Sequence, residues 1–557
     1  MQDLIFGLIG GTALLMYGIE MMGSGLEKVS GPIMKKILEV FTGNVLKSTL
    51  AGILITALVQ SSTAVTVLTV GFVNAGLMKF SQAVGIIYGA NIGTTVTAQL
   101  MALSFKFKLT DIALPVIGIG FAVMCFAKKD HWKNLGSALM GFGLMFYGLK
   151  ILNAGAPYMQ SSESLKYFFV HYASIPIVGL LLGIVATALV HSSAATVALV
   201  MVLGTSGLID FPTAIYLTLG DNIGTCITAQ IASSQGNINA KRTAWAHTLY
   251  NLGGVLLVLF IVPQFAHLVE WITSLYYKGA AIDVLIANTH TIFNVASAVV
   301  FLPFTKYFVR AVERLVKQDK GQEQDDEDDD SKFMDKLLLN TPIAAVNAVK
   351  KAIYSSVIRS REMFLKAMDF IYTDNMDSFK KVLQQEEKLN TTQKNLTDYT
   401  IELSKGNLSG IQAPLIPALI VCMNHIERTG DYAKDLVEIA QIKTNAHLGF
   451  SDMALTGLKE LENMVVHMYD LLAEVIDEPD KFQNNHKKIK DLENEVDIKA
   501  RELLDGHVDR LKQGQCSVDA GVYFMDLVNF LERISDHIYK ACRDLRNAEM
   551  AETTETN

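Results

Sequence analysis

Clustered hydroxyl and amide side chains, written twice in apolar sequence, are the groups in this chain best suited to do chemistry. Thr56-Ala57-Leu58-Val59-Gln60-Ser61-Ser62-Thr63 reappears as Thr187-Ala188-Leu189-Val190-His191-Ser192-Ser193-Ala194. Gly89-Ala90-Asn91-Ile92-Gly93-Thr94-Thr95 reappears as Gly220-Asp221-Asn222-Ile223-Gly224-Thr225-Cys226, and both echoes share one offset of 131 positions (56 to 187, 89 to 220). Polar side chains inside a bilayer are costly and face partners or a wet path. A lone Ser-Ser in such a segment is usually helix packing. Here Thr97 and Gln99 extend the first polar set, and Thr228 and Gln230 match them in the second. That density favours a binding site.

The donor set narrows the ligand. It offers hydroxyls, amides and four potential helix breaks, but hardly any Lys or Arg. Half-helix N-termini present unpaired N–H groups and a positive dipole end to an anion, while hydroxyl and freed carbonyl oxygens suit a hard cation such as sodium. An oxyanion neutralised by co-bound sodium fits best. Gly93 and Gly224 allow the backbone beside Asn91, Thr94, Asn222 and Thr225 to open or to approach a ligand closely.

The elements that must position these groups are membrane helices. Leu4–Met22, Ala83–Ala102, Ile112–Phe126, Leu135–Leu152, Thr213–Ile231, Thr243–Val262 and Val284–Phe308 approach the roughly 20 apolar residues of a span. The Gln60 and His191 segments are too long and too polar for plain spans. Each reads as two half-helices meeting at the Ser-Ser turn, a re-entrant hairpin that lines a protected or wet interior. Each repeat then makes three crossings, so the second copy is inserted upside down, and Val284–Phe308 stands outside the duplication. Lys28, Lys35, Lys36, Lys47, Lys79, Lys128, Lys129, Lys133, Lys241, Arg242, Arg310, Arg314 and Lys317 fall on one side, against Lys106, Lys108, Lys166 and Lys278 on the other. Positive charge marks the cytoplasmic face, so the N-terminus is outside and everything after Phe308 is inside.

Composition agrees with two halves. Residues 1–312 are apolar, whereas 313–557 resemble a soluble protein. The net charge of −8 owes much to Gln318–Asp330, with six Asp and two Glu, and carries no nucleic-acid signal. That run reads as a solvated linker. The five cysteines are scattered and odd in number, which fits a reduced compartment or membrane burial. No Walker-type loop, His-Glu-x-x-His or EF-hand loop occurs, and the membrane half has no activated nucleophile or acid–base pair, so an enzyme is disfavoured.

From about Phe333 apolar residues recur at helical spacing, an all-α bundle that is itself doubled. Asn424-His425-Ile426-Glu427-Arg428-Thr429-Gly430-Asp431 matches Asn529-Phe530-Leu531-Glu532-Arg533-Ile534-Ser535-Asp536 at an offset of 105 (427 to 532). Glu and Asp four apart share a helix face. Composition alone makes these solvated faces with Glu–Arg pairing.

The doubled Gln60-Ser61-Ser62-Thr63 motif and the two Asn-Ile-Gly-Thr segments resemble the signature of the type II sodium–phosphate cotransporter family, over about residues 1–312. The resemblance implies sodium-coupled movement of inorganic phosphate by alternating access. It assigns Gln60, Ser61, Ser62, Thr63, Ser192 and Ser193 as phosphate or sodium contacts and Asn91, Thr94, Asn222 and Thr225 as supporting ligands. His191 stands where the family has Gln, and Ala194 where it has a hydroxyl residue. His191 either bonds phosphate and makes the rate pH-sensitive, or is a packing histidine. Asp221, matched by Ala90, is either a sodium ligand or a cap on the following half-helix.

The two halves bearing Glu-x-x-x-Asp resemble a PhoU domain, whose acidic clusters bind iron or zinc in some members. The carry-over falls on Glu427, Asp431, Asp435, Glu532 and Asp536, and oxygen ligands also suit magnesium.

The sequence therefore predicts an all-α, polytopic protein of two inverted-topology repeats with broken helices, followed by a soluble helical bundle. The expected segments are repeat 1 over 1–132, repeat 2 plus the last span over 133–312, the linker over 313–332, a cytoplasmic domain over 333–550 and a tail over 551–557. The expected setting is a bacterial inner membrane, with phosphate, sodium and lipid as partners and no nucleic acid. A homo-oligomer or a signalling partner of the soluble half stays open. So do two alternatives: an exporter or other-oxyanion carrier on the same scaffold, and a membrane-anchored phosphate sensor.

Overall fold

Apolar runs with few breakers fold as helices, and no strand occurs among the described residues. The structure is a computed structural model that describes residues 2–30, 44–234, 236–317, 333–340, 342–405, 415–477, 482–514 and 516–555. Two units separate, Met1–Asp326 and Glu327–Asn557. The acidic run at 318–330 lies outside the described residues.

The first unit begins with α1 (Gln2–Val29), α2 (Val45–Val59), α3 (Ser62–Asn74), α4 (Phe80–Phe107), α5 (Ala113–Phe126) and α6 (Asp130–Ala154). After short helical turns follow α7 (Pro176–Val190), α8 (Ser193–Thr205), α9 (Phe211–Gly224), α10 (Cys226–Ser233), α11 (Ile238–Leu259), α12 (Val262–Ser274), α13 (Ile282–Phe301) and α14 (Thr305–Leu315). Among the described residues, Phe6–Val29, Asp130–Ser161 and Ile282–Leu315 are long and apolar enough to cross a membrane. The expected span Thr243–Val262 ends in a sharp corner, because α11 and α12 meet at 92°. At 14 residues, α5 is shorter than a full crossing.

Glycine contacts reveal how the repeats are related. Gly11 and Gly18 of α1 match Gly141 and Gly148 of α6 at an offset of 130 (11 to 141, 18 to 148). A Cβ on Gly18 would fall 2.7 Å from the Gly141 carbonyl oxygen, and one on Gly148 would fall 2.7 Å from that of Gly11. The helices are therefore antiparallel, and each contact exchanges equivalent residues. Such reciprocity defines a local two-fold axis perpendicular to the helices, the geometry of an inverted-topology repeat.

A second contact settles the hairpin. A Cβ on Gly93 would meet the Ile53 carbonyl oxygen at 2.8 Å, and Gly89 abuts Thr49, so α2 and α4 run parallel. Gly224 against Ile184 and Gly220 against Leu180 repeat the arrangement for α7 and α9. Had α3 continued in the direction of α2, α4 would have to return antiparallel. The parallel pairing requires α3 to double back.

The last span does not stand outside the duplication. His247-Thr248-Leu249-Tyr250-Asn251 of α11 matches His290-Thr291-Ile292-Phe293-Asn294 of α13 at an offset of 43 (247 to 290). A Cβ on Gly254 would lie 2.7 Å from Ser297 Oγ, and the Tyr250 and Phe301 rings are 5.2 Å apart. These helices cross antiparallel at equivalent positions, so α13 is the symmetry mate of α11.

The second unit has two three-helix halves, α15 (Pro342–Thr373), α16 (Met376–Ser404) and α17 (Leu415–Asn445), then α18 (Asp452–Asp477), α19 (Phe482–Lys512) and α20 (Val518–Glu555). Ser360 Oγ lies 2.7 Å from Thr429 Oγ1 and 3.0 Å from Tyr469 OH, pinning the halves together through buried hydroxyls. Across the seam the His425 and His537 rings are 5.2 Å apart and the Tyr432 and Phe530 rings 5.7 Å apart. The doubled motif maps one pair onto the other, so this unit has its own local two-fold. The α20 helix continues to Glu555, into what the sequence reads as a tail.

Candidate functional site

The two Ser-Ser motifs form the same broken helix. Gln60 (φ 57°) and His191 (φ 55°) are left-handed residues closing α2 and α7. Left-handed backbone costs a non-glycine residue roughly 1–2 kcal/mol, so the surrounding packing must hold it. Ser61 and Ser192 then extend with φ −145° each. Their hydroxyls accept from the Ala64 and Ala195 amides, both at 3.2 Å, and so cap α3 and α8. Ser62 and Ser193, at 8% and 9% exposure, begin those helices, where unpaired N–H groups and the dipole favour an anion.

The flanking residues differ. Gln60 is buried; its amide nitrogen donates to the Ala57 carbonyl and its Oε1 accepts from Thr97 Oγ1 of α4 at 2.8 Å. The His191 side chain is exposed, unlike that of its mate Gln60. Thr228, the mate of Thr97, turns to its own helix and donates to the Thr225 carbonyl at 3.0 Å. Thr63 is half-buried beside the first break.

Asn91 and Asn222 donate to the Ile87 and Thr218 carbonyls at 2.9 and 2.8 Å, within α4 and α9. Thr95 and Thr225 bond backward in the same way. Of the four expected breaks, only those at Gln60 and His191 are full interruptions. The α4 helix runs unbroken through Asn91–Thr94, and a single turn at Thr225 separates α9 from α10. Gly93 and Gly224 serve close helix packing instead of opening the backbone. Thr56, Thr66 and Thr94 each bury a hydroxyl oxygen with no hydrogen-bond partner among the described residues. Such atoms cost about 1–3 kcal/mol unless a ligand or water satisfies them. Ala194 and Ala195, just past the second break, share a core with Ala98 and Met101 of α4, which brings α8 onto the helix that holds Gln60.

Asp221 lies inside α9 at 0% exposure, so it is no helix cap. Its Oδ1 accepts from the Thr187 hydroxyl at 2.8 Å, while His290 Nε2 of α13 lies 3.9 Å from Oδ2.

The α13 helix supplies residues the sequence reading passed over. Gln99 Nε2 donates to Thr291 Oγ1 at 2.8 Å and lies 3.1 Å from Asn288 Oδ1. Gln230 Nε2 donates to Thr248 Oγ1 at 2.7 Å. These two glutamines are mates, as are the two threonines, so the bonds are one contact made twice. Buried Asn288, Thr289, His290 and Asn294 meet the same test of polar side chains in an apolar span that singled out the Ser-Ser motifs.

The acids expected as metal ligands lie on faces that also carry basic partners. Arg428 Nη1 lies 3.2 Å from Asp431 and Nε 3.9 Å from Glu427. Lys434 lies 3.2 Å from Glu386, Lys540 2.7 Å from Asp536, and Arg533 3.6 Å from Glu532. Partial burial, then neighbouring acids, raise the Asp435 carboxyl above its usual range. Among the described residues no group of three or more His, Cys, Asp or Glu side chains is placed to hold a metal. On the second face the Lys540 ammonium fills the place matching Asp435 and pairs with Asp536, and on the first Arg428 and Lys434 pair with Asp431 and Glu386.

Comparison with known proteins decides the family. The sequence model described as Na+/Pi-cotransporter matches residues 14–154 and 159–281, and that of the PhoU domain matches 359–440 and 458–545. "Uncharacterized protein YqeW" of Bacillus subtilis (strain 168) is 32% identical over 315 residues, 56% of this chain and 98% of the relative. The chain belongs to the Na+/Pi-cotransporter family. This is a family of membrane transporters, not of enzymes. "Putative inorganic phosphate export protein YjbB" of Escherichia coli (strain K12) is 24% identical over 535 residues, 95% of each chain. "Sodium-dependent phosphate transport protein 2A" of Rattus norvegicus is 36% identical over 108 residues, 19% of this chain and 17% of the relative. No solved structure matches.

Proposed function

We propose that this chain is a sodium-coupled carrier of inorganic phosphate working by alternating access, regulated by its PhoU domain on the cytoplasmic side of a bacterial inner membrane. The carrying observation is the pair of serine-capped helix breaks, two half-helix N-termini related by a local two-fold. Phosphate is held by Ser62, Ser193 and the first N–H groups of α3 and α8. Gln60, Ser61, Thr63 and Ser192 complete the phosphate and sodium contacts, with Asn91, Thr94, Thr95, Asn222 and Thr225 behind them. His191, exposed at the second break, stands at the rim. Alternating access suits inverted repeats, because rocking one repeat against the other exchanges which side is open. The domains divide as 1–132 for repeat 1, 133–312 for repeat 2 plus the last span, 313–332 for the linker and 333–550 for the regulator.

Export of phosphate is the second reading, favoured by the printed name of the Escherichia coli relative. One experiment tests both. Purified chain in proteoliposomes should take up radiolabelled phosphate with an inward sodium gradient and lose it when sodium is replaced by potassium. Flux indifferent to sodium would overturn the coupling. In cells loaded with phosphate, faster efflux on expression would favour the exporter.

A further inference from the structure

The two breaks are alike in backbone but not in what stands behind them. At the second, the Thr187 hydroxyl of α7 donates to Asp221 Oδ1 of α9 at 2.8 Å and lies 2.9 Å from Thr196 Oγ1 of α8. Thr196 Oγ1 lies 3.2 Å from the Ser192 carbonyl oxygen, at the break itself. At the far end, Asp221 Oδ2 has no hydrogen-bond partner among the described residues and faces His290 Nε2 of α13 across 3.9 Å. Thr187, Thr196, Asp221 and His290 are all buried, at 4% exposure or less. Hydrogen-bond contacts thus run Asp221–Thr187–Thr196–Ser192 across three helices, and His290 of a fourth faces their far end at 3.9 Å.

The first repeat lacks that chain. Ala90 stands for Asp221 and Val65 for Thr196 at the 131-position offset (90 to 221, 65 to 196). Thr56, the mate of Thr187, accordingly keeps its hydroxyl buried without a hydrogen-bond partner among the described residues. The mate of His290 is His247, whose buried Nδ1 likewise has no hydrogen-bond partner among the described residues. The asymmetry belongs to these particular side chains, since the backbone around both breaks is the same.

We propose that His290 is a positioning residue for the second Ser-Ser break, acting through Asp221, Thr187 and Thr196 to fix the backbone at Ser192. A buried carboxylate needs fixed partners on both oxygens, because leaving one bare costs several kcal/mol. Thr187 holds one oxygen by a hydrogen bond, and the buried His290 ring stands 3.9 Å from the other, which restricts rotation of the carboxyl away from Thr187. With its own proton on Asp221, Thr187 can only accept, so the one Thr196 proton is shared between Thr187 and the Ser192 carbonyl and ties the two together. The last span therefore sets the shape of one half-site and leaves the other to Gln60 and Thr97.

The inference rests on the transport reading, and the test separates their failures. Full-length His290→Gln, Thr196→Val and their double variant would be purified with His247→Gln as the symmetry control. Amide hydrogen exchange by mass spectrometry would be read at residues 192–196 and 61–65. Faster exchange at 192–196 alone is expected in His290→Gln and Thr196→Val, with the double variant no faster than the worse single. Phosphate uptake should show a half-saturating concentration raised about threefold to tenfold with a nearly unchanged maximal rate. That is the signature of a displaced binding group, whereas a misfolded fraction lowers the maximal rate instead. His247→Gln should match wild type within about twofold. Unchanged exchange at 192–196, equal changes at both breaks, or an equal effect of His247→Gln would overturn the relay. Absence of phosphate uptake by wild type would sink the transport reading, and the exchange data would still decide the relay.

Discussion

Gln60 Oε1 accepts a hydrogen bond from Thr97 Oγ1 at 2.8 Å, fastening the first helix break to the long helix behind it. The bond is buried, which shields it from competition by bulk water. Thr97→Val should raise the half-saturating phosphate concentration by about twofold to tenfold, from roughly 0.5–1.5 kcal/mol for one hydrogen bond. Thr228→Val should do less, because Thr228 bonds within its own helix. Uptake kinetics in proteoliposomes check both, and equal effects would deny Gln60 its special anchorage.

Ser62→Ala and Ser193→Ala should each impair phosphate uptake about tenfold or more at unchanged expression. A hydrogen bond to a charged ligand contributes roughly 1.5–3 kcal/mol, and both hydroxyls sit at the start of a half-helix. Backbone shape should survive, since the capping bonds come from Ser61 and Ser192. Near wild-type uptake in both variants would remove these turns from the site.

What the sequence made legible was whatever repeated in register. The two Ser-Ser motifs share an ungapped offset, and both became broken helices with matching dihedral angles. Gly11 and Gly18 were harder to read because their offset differs by one, and small residues in an apolar span look like ordinary packing. The twin motif of α11 and α13 was hidden by its offset of 43 (247 to 290), far from that of the main repeat. Asn91-Ile92-Gly93-Thr94 misled in the other direction. A glycine between polar residues suggests an opened helix, but here Gly93 is small so that α2 can approach α4. In the soluble half, spacing placed the carboxylates on common faces correctly. It said nothing about Lys434 and Lys540 folding back onto them.

The antiparallel contact of Gly18 with Gly141 carries a topological prediction. An odd number of crossings separates equivalent points in the two repeats, so residues near 106 and near 237, 131 positions apart (106 to 237), should lie on opposite sides of the membrane. Single cysteines at these positions, in a Cys125→Ser background because Cys125 is exposed, should react with an impermeant maleimide in opposite senses in intact cells. The position near 237 should be protected, being beside Lys241 and Arg242 on the face rich in Lys and Arg. Equal labelling of both would break the inverted arrangement.

The seam of the soluble unit should be acid-sensitive through His537. Burial, and then the neighbouring His425 imidazole 3.0 Å away, push the His537 pKa down to about 4 from an ordinary 6.5. The unfolded chain therefore takes up this proton first as pH falls. The stability tied to the neutral ring is present above about pH 6.5 and is lost as pH drops towards about 4. His425, His486 and His507 are displaced downward by burial and act in the same sense. Glu427, Asp431, Asp435, Glu493 and Glu532 are displaced upward by burial and act against it. A direct comparison isolates the histidine. The soluble-unit transition of His537→Asn, scanned by calorimetry at about pH 7.5 and about pH 5, should fall less on acidification than that of wild type. The difference should be about 2 °C or less, since a half-exposed ring is partly screened by solvent. An equal or larger fall in the variant would mean that the seam does not hold His537 neutral.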